Sequence, residues 1–399
     1  MMLSLRFKLS LATIFFLASS SFAAQTTDKL DDSILSKKRL EIFDLSKEQI
    51  EEDSSKLKKD WINPIMYTYS KVYGETYDTE KSLVSIDQPI FKAGGIYKAI
   101  KYANATRLYS HLDLDLQKKA LIKDTTTLLF NIHKLILEIK KQELLVKNGQ
   151  IDIQRKKEQV FNGFADTSVL DTAILDTNTS KNALAELVYQ KEELINQFNT
   201  YAEGDYTSFE LPKFKLLEKE SFIKNNLNIL KSKADISSKN DYTWMTISKY
   251  LPTVSATFDY TKYHDSNNPT INIDQSVQNY GIKVTMPLDT RTYNDIQSTR
   301  IDYLKAKLDF DNVILEQENF FKSKLSKIKM IDSKITIAKD DYELYNSLLD
   351  VIVEEKEAEL KTQSDVDTLL NSKKIRELEL KILSIEKQIE LLEIYSKIS

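Results

Sequence analysis

All six prolines of the chain, Pro64, Pro89, Pro212, Pro252, Pro269 and Pro287, lie outside two windows, residues 90–211 (bounded by Pro89 and Pro212) and residues 288–399. Proline removes a backbone donor and clashes with the preceding turn, so its absence leaves both windows free to form long helices. The second window also lacks glycine, and it places Ile375, Leu378, Ile382, Ile385, Ile389 and Leu392 in alternating steps of three and four, a heptad seam. Leu129, Ile132, Ile136 and Ile139 carry the same spacing in the first window, as do Ile301, Leu304 and Leu308 early in the second. A helix from Gly94 to about Asn162 would be on the order of 100 Å long at about 1.5 Å per residue, too long for a compact globule.

Each window has one place to fold back. Asn162-Gly163 supplies a helix stop in the first, and Asp166, Thr167 and Ser168, with Asp171 following, supply a helix start with acidic groups in its first turn. The first tip is therefore expected near 163–167. Asn148-Gly149 is a rival turn, read as an interruption inside a continuous helix at a cost of about 1 kcal/mol. In the second window Thr362, Ser364, Asp365 and Asp367 give two overlapping cap patterns, Thr362 to Asp365 and Ser364 to Asp367. The second tip is expected near 358–364, without a glycine to mark the stop.

Between the helical windows the period changes to two. Val254, Ala256, Phe258 and Tyr260 alternate with Thr253, Ser255, Thr257, Asp259 and Thr261, and Tyr280, Ile282, Val284 and Met286 alternate with Gly281, Lys283 and Thr285. These are strands with one apolar face, joined by a long polar loop from His264 to Val277. A rougher hairpin precedes the first window: Ile65, Tyr67, Tyr69 and Tyr73 alternate with Met66, Thr68, Ser70 and Val72, and Val84 and Ile86 alternate with Ser85 and Asp87 after a turn near Gly74–Lys81.

The chain thus holds two copies of one plan, hairpin, proline, long helix, tip and returning helix, with Pro89 and Pro287 at the same strand-to-helix junction. The divisions read as a leading helical segment at 24–62, a first β-hairpin at 63–91, a first long helical hairpin at 92–200, an irregular link at 201–217, a helix returning to the sheet at 218–249, a second β-hairpin at 250–288 and a second long helical hairpin at 289–399. Ahead of them, Met1–Ala23 has a basic start (Arg6, Lys8), an apolar run from Leu9 to Leu17 and small residues at Ser21 and Ala23. That is a secretory leader cleaved after Ala23, with an uncleaved anchor as the alternative.

Four strands are long enough to cross a bilayer but too few to close a barrel, and an open edge in lipid leaves backbone groups unpaired at several kcal/mol each. The chain must pool strands with copies of itself. Eight strands from a dimer would be largely filled by side chains, whereas twelve from a trimer leave a lumen. Composition narrows the rest. The absence of cysteine excludes disulfides, thiolate chemistry, cysteine-ligated metal and a lipid-bearing cysteine. A net charge of −4, from 56 basic and 60 acidic residues without long runs of either sign, gives no footprint for nucleic acid.

The two proline-marked junctions (Ser85-Ile86-Asp87-Gln88-Pro89-Ile90-Phe91-Lys92-Ala93-Gly94-Gly95 and Gly281-Ile282-Lys283-Val284-Thr285-Met286-Pro287-Leu288), the start of a strand at Tyr250-Leu251-Pro252 and the tip Val160-Phe161-Asn162-Gly163 together resemble the TolC-like outer-membrane efflux proteins, from about residue 30 to the end. The resemblance implies a mostly α fold with a β-barrel contribution: a homotrimer with one shared twelve-stranded barrel in outer-membrane lipid and an α-helical tunnel across the periplasm. It implies the channel of a tripartite efflux or type I secretion system, with a periplasmic adaptor (membrane fusion) protein and an inner-membrane transporter of RND, ABC or MFS type as partners, no cofactor and no enzymatic activity. The chain departs from the family at Ala358-Glu359-Leu360, where members often have glycine.

Candidate site residues follow. Asp365 and Asp367, with Thr362, Gln363 and Ser364, stand where members have an acidic gate at the periplasmic mouth; the alternative is that they cap a helix, worth about 0.3 to 1 kcal/mol each. Gly163, Asp166, Thr167 and Ser168 form the tip that the resemblance makes an adaptor contact; the alternative is an ordinary turn. Tyr67, Tyr69, Phe258, Tyr260, Tyr280, Ile282 and Val284 are candidates for the lipid-facing barrel surface, and Tyr67, Tyr69, Tyr73, Phe258, Tyr260 and Tyr263 for an aromatic girdle. His111, His133 and His264 are too scattered for a metal site, and no catalytic constellation or phosphate-binding loop stands out. Two rivals remain: a soluble periplasmic coiled-coil scaffold or adaptor whose hairpins form a small sandwich, and an exported hydrolase.

Overall fold

A computed structural model describes residues 30–399; the leader at Met1–Ala23 lies outside the described residues. The elements run α1 (Lys37–Lys59), β1 (Met66–Val72), β2 (Thr79–Phe91), α2 (Gly95–Phe161), α3 (Thr167–Tyr201), α4 (Lys219–Lys224), α5 (Leu227–Lys249), β3 (Thr253–Ser266), β4 (Ser276–Thr285), α6 (Thr292–Glu357) and α7 (Gln363–Tyr395). With 67 and 66 residues, α2 and α6 are each about 100 Å long. No described helix is long and apolar enough to cross a membrane.

The four strands form one antiparallel sheet in the order β1-β2-β3-β4, so the two hairpins join through their inner strands. The helices keep that order. Each strand is continued by a helix, and α1 packs on α2, α2 on α5, and α5 on α6. Toward the tips the order becomes α3, α2, α7, α6. The two long helices pass through both layers, while the short ones meet end to end. Ser36 N donates to Tyr201 O at 2.9 Å where α3 meets α1, and Leu227 N donates to Lys397 O at 2.8 Å where α7 meets α5.

Apolar burial concentrates at those two junctions. Around the first, Ile122, Leu129 and Ile132 of α2 pack with Ile34, Leu35 and Phe198; around the second, Phe222, Phe321, Leu391 and Leu392 are 4% exposed or less. Fully burying each such side chain is worth about 1.5–3 kcal/mol. Of the expected seams, Ile375, Ile382 and Leu392 are buried in α7, whereas Ile301, Leu304 and Leu308 of α6 are exposed.

Several expectations are corrected. Helix 218–249 is two helices, broken at Asn225-Asn226, where Asn226 bridges to Ile398 and its side chain caps α5. Strands β3 and β4 extend into the polar stretch read as a loop, because edge pairing uses backbone groups and tolerates Asp265 and Ser266. Pro89 lies inside β2, not at its end. It pairs with Ser255 at a register shift, beyond the last β1 partner at Ser85, so its missing N–H costs no ladder bond to β1. Pro287 does follow its strand. Asn148-Gly149 sits in unbroken helix; a Cβ on Gly149 would stand 2.5 Å from Thr177 Oγ1, so glycine there lets α3 approach closely.

Candidate functional site

Cross-strand register decides which side chains share a face. Phe258 lies opposite Tyr280 and Ile86, Tyr260 opposite Val84, Val84 opposite Tyr67, Ala256 opposite Ile282, and Val254 opposite Val284. Since faces alternate along a strand, Tyr67, Tyr69, Phe258, Tyr260, Tyr280, Ile282 and Val284 all lie on one face of the sheet. The other face carries Ser85, Asp87, Thr257, Asp259, Asn279 and Lys283, with an ion pair between Lys283 and Asp87 across β3. Tyr263 pairs with Lys81 and stands on this polar face, so it does not belong with Phe258 and Tyr260. All ten residues of β4 are exposed, Tyr280 and Ile282 at 87% and 76%.

The two tips share one backbone device. At the first, Phe164 N donates to Gln159 O at 2.8 Å and Gly163 N to Val160 O at 3.0 Å; at the second, Leu360 N donates to Glu355 O at 2.9 Å and Glu359 N to Lys356 O at 3.0 Å. This is the Schellman helix stop, whose left-handed residue is Gly163 (φ 75°) in one and Glu359 (φ 61°) in the other. Glu359 thus takes the place of the glycine the sequence lacks.

The helix starts differ from expectation in detail. Asp166 itself caps α3, accepting from Ser168 N at 2.8 Å, and that backbone donor holds its carboxyl below the usual range. Asp171 lies beyond the first turn, which contains no acid. At α7 the Thr362–Asp365 pattern closes as a full capping box, and the Ser364–Asp367 pattern does not form. Thr362 N and Oγ1 donate to Asp365 Oδ2 at 3.0 and 2.8 Å, while Arg155 of α2 reaches Asp365 Oδ1 at 3.0 Å. The Thr362 donors, aided by Arg155, lower the Asp365 pKa. Asp367 accepts from Gln363 Nε2 at 2.8 Å.

Sequence reasoning missed the apolar side chains at the tips. Phe161, the last residue of α2, and Phe164 and Leu360, just past the ends of α2 and α6, are 77%, 83% and 74% exposed. An apolar residue directly beside a stop signal was the available sign. The histidines have separate partners, His111 with Glu51, His133 with Leu129 O and His264 with Ser82.

No protein-family model and no curated protein sequence matches the chain. Among solved structures it is similar to the outer membrane protein VceC from Vibrio cholerae (TM-score 0.70, 12% identity, 92% of this chain and 94% of that one). It is equally similar to CusC (0.70, 13%, 92% and 90%), and to the Campylobacter jejuni CmeC outer membrane channel (0.66, 11%, 97% and 94%). The duplicated hairpins, the single sheet and the end-to-end helix layers are therefore the TolC-like fold of these outer-membrane proteins.

Proposed function

We propose that three copies of this chain form a passive exit duct in the outer membrane of a Gram-negative-type cell, extending into the periplasm and serving a tripartite efflux or type I secretion system. The observation that carries this is that the protomer is a layer with two unfinished edges. One edge is β1, α1 and α3; the other is β4 and α6. Exposed apolar residues gather along both, Ile42 and Leu45 on α1, Leu175 and Tyr189 on α3, and Ile301, Leu308, Ile337 and Leu344 on α6. Joining β4 to a neighbour's β1 and α6 to its α1 and α3 satisfies strand edges and apolar seams together, and three protomers give the twelve strands that enclose a lumen.

The apolar sheet face meets lipid and the polar face lines the lumen, which is the alternation a membrane barrel requires. A soluble scaffold with a small sandwich would need a second sheet to cover that face, and the described strands form only one. The exposed Phe161, Phe164 and Leu360, with Gly163, Asp166, Thr167 and Ser168 shaping one turn, suit a periplasmic adaptor that delivers substrate from an inner-membrane transporter. In the ring, Thr362, Gln363, Ser364, Asp365 and Asp367 surround the mouth. Asp365 is committed to its cap and to Arg155, so Asp367 is the carboxylate freer to select cations.

Detergent extraction, mass measurement and planar-bilayer conductance test the duct. A detergent-dependent, heat-modifiable trimer that conducts supports it, and a water-soluble monomer overturns it. Asp367→Ala is expected to weaken block by multivalent cations more than Asp365→Ala does at equal trimer yield; unchanged block in both removes them from the gate.

A further inference from the structure

The chain has two tryptophans, Trp61 and Trp244, and both stand just below the sheet. Trp61 follows the end of α1, and Trp244 lies about 8 Å before the end of α5. Tyr97, in the first turn of α2, joins them; Tyr97 and Trp244 are 59% and 52% exposed. Lysines crowd the same level. Between Ser54 and Trp61 the chain carries Lys56, Lys58 and Lys59 against Asp60. From Lys92 to Leu112 it carries Lys92, Lys98, Lys101 and Arg107 and no acid, in a protein whose net charge is −4. Glu51 of α1 pairs with Arg107 of α2 at 3.1 Å. Since α1 runs toward the sheet and α2 away from it, Lys56 and Lys59 come level with Lys98 and Lys101, about one to two turns nearer the sheet than that pair.

We infer that this belt binds the anionic headgroups of phospholipids in the periplasmic leaflet; the inference rests on the membrane duct proposed above and adds the lipid chemistry it takes. Of the six lysines, Lys98 alone has a carboxylate partner among the described residues, Asp241 at 2.8 Å. Lys98 Nζ also lies 6.0 Å from the centre of the Trp244 ring, and Lys101 Nζ lies 4.9 Å from that of Tyr97, so cations and aromatic rings share one surface. That surface faces outward. Lys101 and Leu108 continue, at seven-residue steps, the stripe of α2 to which Ile122 and Leu129 belong, and Ile34 and Leu35 ahead of α1 pack on those two. A segment laid on the inner side of a ring would plug its bore. Tryptophan and tyrosine favour the headgroup level of a membrane, and a lysine stem carries its charge toward it from a turn or two away. The dipole of α1 accounts for lysines in its last turn, but Lys92 and Lys98 stand at the start of α2, where the dipole disfavours a cation. Each lysine near an anionic surface strengthens association about fivefold, a gain that a zwitterionic headgroup does not give.

The two tryptophans report bound lipid directly. Full-length protein is reconstituted into phosphatidylcholine, and quenching of its fluorescence by brominated phosphatidylglycerol is compared with quenching by brominated phosphatidylcholine, at low and high NaCl. The expected result is an affinity for phosphatidylglycerol about tenfold above that for phosphatidylcholine at about 0.05 M salt, falling below about twofold at about 1 M, where screening shortens to about 3 Å. Lys56→Gln, Lys59→Gln and Lys101→Gln together should lower the low-salt preference to about twofold. Lys181→Gln, Lys339→Gln and Lys356→Gln, the same change of charge on the helical arms far from the sheet, should leave it intact. Equal quenching by the two lipids in a trimer that conducts overturns the belt and leaves the duct standing, as does a preference that survives both 1 M salt and the first triple variant. A water-soluble monomer overturns duct and belt together.

Discussion

Glu359 offers a direct measure of how strongly the second tip is held. Its φ of 61° is the left-handed conformation that costs a residue with a Cβ about 1–2 kcal/mol, and its carboxylate sits where the end of α6 presents unpaired carbonyls, adding repulsion of about 0.3 kcal/mol or more. Glu359→Gly removes both penalties, and the greater freedom of glycine in the unfolded segment returns about 0.4–1 kcal/mol. The net expectation is a tip more stable by about 1 kcal/mol, equivalent to about fivefold slower exchange of the Glu359 and Leu360 amides under conditions where local opening limits exchange. Glu359→Ala separates the causes, since it removes the charge and keeps the strain; it should gain only a few tenths of a kcal/mol. Gly163→Ala at the first tip is the converse, losing about 1 kcal/mol although a Cβ there meets nothing within 4 Å. Equal exchange in Glu359→Gly and wild type, or slower exchange in Glu359→Ala than in Glu359→Gly, would refute the assignment of backbone strain.

Tyr280→Lys places a charge on the apolar sheet face and should cost about 2–4 kcal/mol and most of the heat-modifiable trimer, while Asn279→Lys on the polar face keeps it; gel mobility of unheated samples distinguishes them. Gly149→Ala should destabilise the lower arm despite alanine's better helix propensity, and Thr177→Ala in the same chain should restore it, read by exchange of α3 amides. Phe164→Ala should weaken capture of the adaptor without changing trimer mass. The Asp289 pKa, held down to about 2 by Arg291, predicts an acid dependence: the turn its carboxylate forms ahead of α6, accepting from Arg291 N at 2.8 Å, is fully present above the ordinary value of 3.8 and is lost as pH falls through about 2. Protection of the Arg291 amide should exceed that in Asp289→Asn at pH 5 and fall toward it as the pH drops through 2; a constant gap contradicts the reasoning.

The duplicated plan was legible because each part advertises its own period. Alternation in Thr253–Thr261 and Tyr280–Met286 marks strands, and heptad spacing in Ile375–Leu392 marks a packed helix; both need only neighbours in sequence. Features that depend on partners far along the chain were not legible. Nothing local shows that Lys141 meets Glu379 or Arg155 meets Asp365, because these ion pairs join windows separated by the whole second hairpin. Pro89 read as a boundary because the propensity rule ignores which neighbour a strand has at that position; β1 stops short of it, and the sheet accommodates it with a register shift. Glu359 was invisible for a related reason. A helix stop is recognised by glycine, but the requirement is a left-handed backbone, and the backbone hydrogen bonds of Ala358, Glu359 and Leu360 to the last turn of α6 can impose that on glutamate.

Ile301, Leu304 and Leu308 carry the remaining argument. Their spacing is as regular as that of the buried seam in α7, yet they stay in solvent in the isolated chain. A sequence under no demand to associate would replace such a stripe with polar residues, since exposed apolar seams on helices as long as α6 invite indiscriminate pairing. The same edge ends above in β4, whose ladder is open and whose ten residues are all exposed. Two independent kinds of incompleteness, unpaired backbone in the sheet and an unfilled heptad seam in the helix, therefore line up along one side of the molecule. The opposite side supplies β1, α1 and α3 in the matching order. A single interface closes both only if the strands and helices of neighbouring copies meet at the same rotation. Adding β4–β1 contacts without α6–α3 contacts would leave the lower seam open. Lysine at Ile301 and Leu308 should therefore lower trimer yield even though both lie outside the sheet.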